Sequence, residues 1–137
     1  FGRLPLAISG RCYHARLHGL HKDSCQFTCE RDADGLAVDT LDGQAFLAIN
    51  GVQTLSSQVH AFCPSPDELA GHGIRRLRLS PHSCDMIEVS KTYRALLDGQ
   101  EEPDSARFIL SCLDLPGTMV DGYARARPGW RAAAAVD

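Results

Sequence analysis

No apolar run in the sequence approaches the ~18 residues that span a membrane as a helix. The longest near the start, Leu4 to Ile8, is interrupted by Pro5. Residues 1–10 carry a single Arg and too short an apolar stretch for a secretory leader. An excess of charge of either sign is also missing: 14 Lys and Arg stand against 17 Asp and Glu, a net charge of -3. That balance points away from nucleic acid and from an anionic membrane surface. There is no internal repeat and no transmembrane segment, and we expect a cytoplasmic protein.

Hydrophobic residues make up 44% of the chain and charged residues 23%, enough for a core and a solvated surface. The length of 137 residues suits one domain. Leu4–Ile8 reads as a strand closed by Ser9-Gly10. Residues 11–33 lack sustained periodicity and read as a loop with a turn or two of helix. Residues 35–41 and 44–50 are strand-like, and Asp42-Gly43 between them is a hairpin signal. Val52, Leu55, Val59 and Phe62 recur at helical spacing. Ser65-Pro66-Asp67-Glu68 starts a short helix: Ser65 caps, Pro66 fits the first position and Glu68 reaches back.

Residues 74–79 read as a buried strand. Residues 85–97 read as a helix with Asp85 and Glu88 at its start and Gly99 past its end. A further helix is expected over residues 104–113, and strand and loop over 117–131. The helix, strand and helix of residues 66–97 make an αβα step, of the kind that builds parallel sheets and barrels. One step cannot close a barrel. The chain opens on Phe1 and enters a strand-like segment at once, so a missing N-terminal part is expected.

Six Cys and six His are the informative residues. In an exported chain an even Cys count suggests disulfides; without an export signal, clustered Cys suggest a metal or redox role. Cys12, Cys25 and Cys29 fall within eighteen residues in a C-x12-C-x3-C pattern. Cys25 and Cys29 are four apart, the spacing that puts two thiolates on one side of a helical turn. Their neighbours are polar (Arg11, His14, Arg16, His18, His21, Lys22, Asp23, Glu30), which disfavours the bland reading of Cys as a small core residue. Three soft thiolates suit an iron–sulfur cluster or Zn, and spacing alone leaves both open. His14, His18 or His21 would complete a Cys3His zinc site, and Arg11, Arg16 and Lys22 would offset cluster charge. Solvated loop side chains are the plainer alternative for all six. Cys63, Cys84 and Cys112 lie in or beside helices and read as structural, with one of them a reserve fourth ligand.

Phe1 to Arg16, Lys22 to Glu30, Phe46 to Ser56 with its NGVQTLS run, Arg78 to His82 and Tyr93 to Gly99 together resemble the U32 peptidase-like family. The resemblance covers about residues 1–130 and is nearest the family's ubiquinone-biosynthesis branch. It implies an α/β chain forming the C-terminal half of a TIM-barrel-like fold, with a Cys-rich loop and a β-hairpin insertion. The family's N-terminal half is expected to be missing from this sequence, and residues 131–137, with their Ala run, are expected to form a flexible tail. It further implies a [4Fe-4S] cluster held by four Cys. Three of these match Cys12, Cys25 and Cys29, and the fourth lies in the absent half. The implied activity is oxygen-independent hydroxylation of the ubiquinone ring, as a heterodimer with a U-type partner and with a sterol-carrier-like lipid-binding protein in the same pathway. Catalytic residues are left open. Two other readings stand beside this one: a U32-type peptidase, with Ser80 and His82 as the nearest nucleophile and base, and a zinc-stabilised interaction module.

Overall fold

The structure, a computed structural model, describes residues 1–131. The tail expected over residues 131–137 therefore lies, apart from Arg131, outside the described residues. The chain is mixed α/β and divides into two compact units, Arg3–Gln58 and Phe1–Gly2 with Val59–Asp137. Among the described residues, no helix is long and apolar enough to cross a membrane.

The unit Arg3–Gln58 is built on four strands: β1 (Pro5–Ile8), β2 (Leu36–Asp39), β3 (Ala45–Asn50) and β4 (Gln53–Ser56). They form an antiparallel sheet in the order β1-β4-β3-β2. The hairpin expected at Asp42-Gly43 joins β2 to β3, with Gly43 at φ +78° and its N–H donating to the Thr40 carbonyl (2.9 Å). That φ is open to Gly at no steric cost. A second tight turn at Gly51, φ +61°, sends the chain back along β3. This turn overturns the helical reading of residues 52–62. Leu55 lies opposite Ala48 and Thr54 opposite Ile49, so β4 takes its backbone hydrogen bonds from β3. A ladder already offered by a neighbouring strand outweighs an apolar spacing of three or four. Ala15, Ala48 and Ile49 are buried here. The short helix α1 (Tyr13–Leu17) packs against β3. Arg3 donates from Nη1 to the carbonyls of Ser56 (2.9 Å) and Ser57 (2.8 Å), holding the strand termini together.

The other unit contains β5 (Val59–His60), α2 (Pro66–Gly71), α3 (Met86–Leu97), α4 (Pro103–Ser111) and β6 (Met119–Val120). The helix starts behave as their sequences require. Ser65 Oγ accepts from Glu68 N–H (3.1 Å), and Asp85 Oδ1 accepts from both Ile87 and Glu88 N–H (3.0 Å each). Gly99, at φ +68°, closes α3. Helices α3 and α4 pack together around Ala61, Cys63, Val89, Tyr93, Leu96, Ala106 and Leu110.

Residues 74–79 depart from expectation, because they join no assigned strand ladder. Leu77 and Leu79 reach the core, while Ile74, Arg75, Arg76 and Arg78 are exposed. Three Arg in five residues keep one side of this segment in water. Its backbone pairs instead with Phe1, whose ammonium donates to the Arg78 carbonyl (2.7 Å) and whose carbonyl accepts from Ser80 N–H (2.9 Å). The αβα order is thus present without its central strand. Parallel pairing among the described strands is confined to β5 and β6.

Candidate metal centre

Cys12, Cys25 and Cys29 all belong to the unit Arg3–Gln58. Cys12 is buried and caps α1, its Sγ accepting from Ala15 N–H at 3.3 Å. A tight 3-10 turn, Lys22–Ser24, delivers Cys25, which is half-buried. Gln26 and Phe27 follow in the left-handed region, at φ +53° and +51°. A second 3-10 turn, Thr28–Arg31, then carries Cys29, also half-buried. The Cys29 Sγ lies beside the β3–β4 turn, 3.9 Å from where a Cβ on Gly51 would stand. Helix α1 packs on the Thr28–Arg31 turn, so the elements bearing Cys12 and Cys29 are neighbours.

The expectation that Cys25 and Cys29 share one helical turn needs correction. Two consecutive left-handed residues separate them, and helical side-chain periodicity does not carry across such a break. The three thiols are free and their chemistry suits a soft metal centre. Their arrangement is looser: among the described residues, no three His, Cys, Asp or Glu side chains gather closely enough to hold a metal ion. The structure therefore brings the three Cys to one unit without drawing them into one group.

The three candidate histidines separate clearly. His18 and His21 are exposed, whereas His14 is fully buried on α1. His14 Nε2 meets Asp32 Oδ2 at 2.8 Å, tying α1 to the residue that follows the Cys29 turn. The His14 Nδ1 is buried with no hydrogen-bond partner, as is the Oγ1 of Thr28, the residue before Cys29. Reading the sequence alone missed Asp32, since eighteen residues of irregular chain separate it from His14 and carry no periodic signal. We expect Asp32→Ala to cost about 1–2 kcal/mol, because a buried imidazole loses the hydrogen bond at Nε2. Adding His14→Leu should recover most of that loss by removing the orphaned polar ring. Urea midpoints of the single and double variants measure this, and an unchanged midpoint for Asp32→Ala would mean the pair contributes nothing.

The remaining thiols lie in the other unit. Cys63 is fully buried and burial pushes its thiol up, while Tyr93, whose phenol burial also pushes up, faces it. Cys84 Sγ lies 3.8 Å from Met86 Sδ, and Cys112 is exposed where α4 ends. Asp121, following β6, is a buried carboxylate that sequence reading also missed. Arg107 Nη1 meets its Oδ2 at 3.1 Å and Arg125 Nε at 3.6 Å, and Arg125 continues to Glu68 at 2.7 Å. This network ties α4, α2 and the chain after β6 together, a structural task. No protein-family model matches the chain, and no solved structure matches it.

Proposed function

We propose that this chain is the iron–sulfur subunit of an oxygen-independent system that hydroxylates the ubiquinone ring, acting with a U-type partner of the U32 peptidase-like family. In this reading it forms the C-terminal half of a TIM-barrel-like fold. The observation that carries the proposal is the set of three free thiols, Cys12, Cys25 and Cys29, on short consecutive elements of a single unit. Cubane clusters are held by four thiolates, so these three would hold one with a fourth from the N-terminal half of the same protein. When bound, such a cluster supplies the electron transfer that a hydroxylation without O2 requires and that Zn lacks. The chain's own residues have narrower tasks. The Ala15 N–H satisfies the Cys12 sulfur, and the His14–Asp32 pair holds α1 to the Cys29 turn. Arg11, Arg16 and Lys22 place positive charge around Cys12.

A partner is supported by apolar side chains left in solvent. All four residues of the edge strand β1 are exposed, Leu6 and Ile8 among them, and Phe27 and Phe46 are exposed in the same unit. Where such side chains form one contiguous apolar patch, the patch is commonly an interaction site. A sterol-carrier-like lipid-binding protein belongs to the same proposed pathway. The test is anaerobic purification of the full-length protein co-expressed with its U-type partner. We expect a brown complex containing iron and sulfide. A colourless protein containing stoichiometric Zn would replace this reading with the zinc-stabilised module, and proteolysis of casein abolished by Ser80→Ala would replace it with a peptidase.

A further inference from the structure

Beside Cys12, the unit Arg3–Gln58 encloses an open pocket of about 260 Å³ whose wall includes Arg11, Arg16, His21, Lys22 and Asp23. Three of these side chains are cations and one is an anion, a net of two positive charges. Four cations of the other unit meet carboxylates: Lys91 meets Glu88, Arg94 meets Asp98, Arg107 meets Asp121 and Arg125 meets Glu68; Arg75, Arg76 and Arg78 of that unit are exposed instead. No ion pair among the described residues includes Arg11, Arg16 or Lys22. In a chain of net charge -3, three unpaired cations around one concavity are a local departure from the overall balance. Like charges facing a shared cavity repel one another, and an anion between them reverses the sign of that interaction.

We propose that this pocket binds a small oxyanion-bearing molecule, a carboxylate or a phosphate, between Arg11, Arg16 and Lys22. Guanidinium groups present paired N–H donors that match both kinds of oxyanion, and the Lys22 ammonium adds a point charge. The volume falls just below the usual range of drug-sized ligand sites, which suits a compact anion rather than a polymer. Cys12 is one of the wall residues, while Cys25 and Cys29 take no part in the wall. The site therefore goes beyond the iron–sulfur reading and does not depend on it.

The experiment titrates the full chain with inorganic phosphate and, separately, with succinate, at constant ionic strength, following calorimetry and backbone amide shifts. Saturable binding of one of them is expected, with shifts centred on residues 10–23. The better ligand of the two identifies the source as phosphate or carboxylate. Arg11→Gln and Arg16→Gln should each weaken binding by about tenfold, the size expected for one charge-assisted contact. Arg75→Gln, in the other unit and exposed, should leave it unchanged. Cys12→Ser should keep the anion while losing iron, which separates failure of this site from failure of the metal reading. The proposal is overturned if neither probe saturates, if Arg11→Gln and Arg16→Gln bind as the parent does, or if chloride competes as well as either probe. Each of those results would mean a solvated basic face.

Discussion

If the proposed cluster is held as described, changing Cys25 or Cys29 to Ser in the full-length protein is expected to abolish iron binding, whereas the same change at Cys63, Cys84 or Cys112 is expected to leave iron content at the parent level. The expectation rests on placement. The first two stand with Cys12 in one unit, on the two turns that flank Gln26 and Phe27. The other three have local occupations: Cys63 is fully buried in the α3–α4 core with its thiol pushed up by burial, Cys84 adjoins Met86, and Cys112 ends α4. A thiol whose charged form is disfavoured is a poor ligand, because metals take the thiolate. Cys12→Ser is the most discriminating variant. Ser is a strong helix N-cap, so the replacement keeps an acceptor for the Ala15 N–H and α1 keeps its start. Iron lost from Cys12→Ser with unchanged thermal stability reports ligation, not unfolding. A loss at Cys63, Cys84 or Cys112 as large as that at Cys25 would overturn the assignment.

Leu96→Ala is expected to destabilise the chain by about 2–5 kcal/mol, the range for emptying a packed core site. Leu96 is 1% exposed on α3, in a cluster with Val89, Tyr93, Ala106 and Leu110. Removing most of its side chain forfeits the transfer free energy and leaves a cavity that two packed helices cannot readily close. Ile87, the second residue of the same helix, is 70% exposed. Ile87→Ala should therefore stay within about 0.5 kcal/mol, the usual range for a surface change. Urea unfolding of the two variants measures the contrast. Equal shifts in midpoint would mean that α3 does not bury the face described.

The apolar face of α3 shows how directly local chemistry can be read. Asp85 must cap because two N–H groups at the helix start have no other acceptor nearby, and Gly99 must follow because the exit needs a positive φ. The Asp42-Gly43 hairpin and the Ser65-Pro66 helix start were legible for the same reason: every group involved lies within four residues. The candidate thiols were legible as a set through their spacing and polar neighbours. Their mutual placement was not, because two left-handed residues between Cys25 and Cys29 leave no mark in an apolar pattern.

Residues 52–62 and 74–79 turned on partners far away in sequence. Leu55 became part of a strand because Ala48 offered it a ladder, and Leu79 stayed out of one because its backbone neighbours pair with Phe1. His14 could have been a solvated loop residue; burial beneath α1 with Asp32 made it a structural tie. The sequence alone determined the caps, turns and helix faces, and marked the loop of residues 11–33 as polar and thiol-rich. Only the tertiary structure decided which strand each short apolar run joins, which histidine is buried and which cations share a pocket. Turns and caps are settled by bonds a few residues long. Ladders, buried pairs and pockets require chain segments to meet across long loops, and no local propensity encodes that meeting.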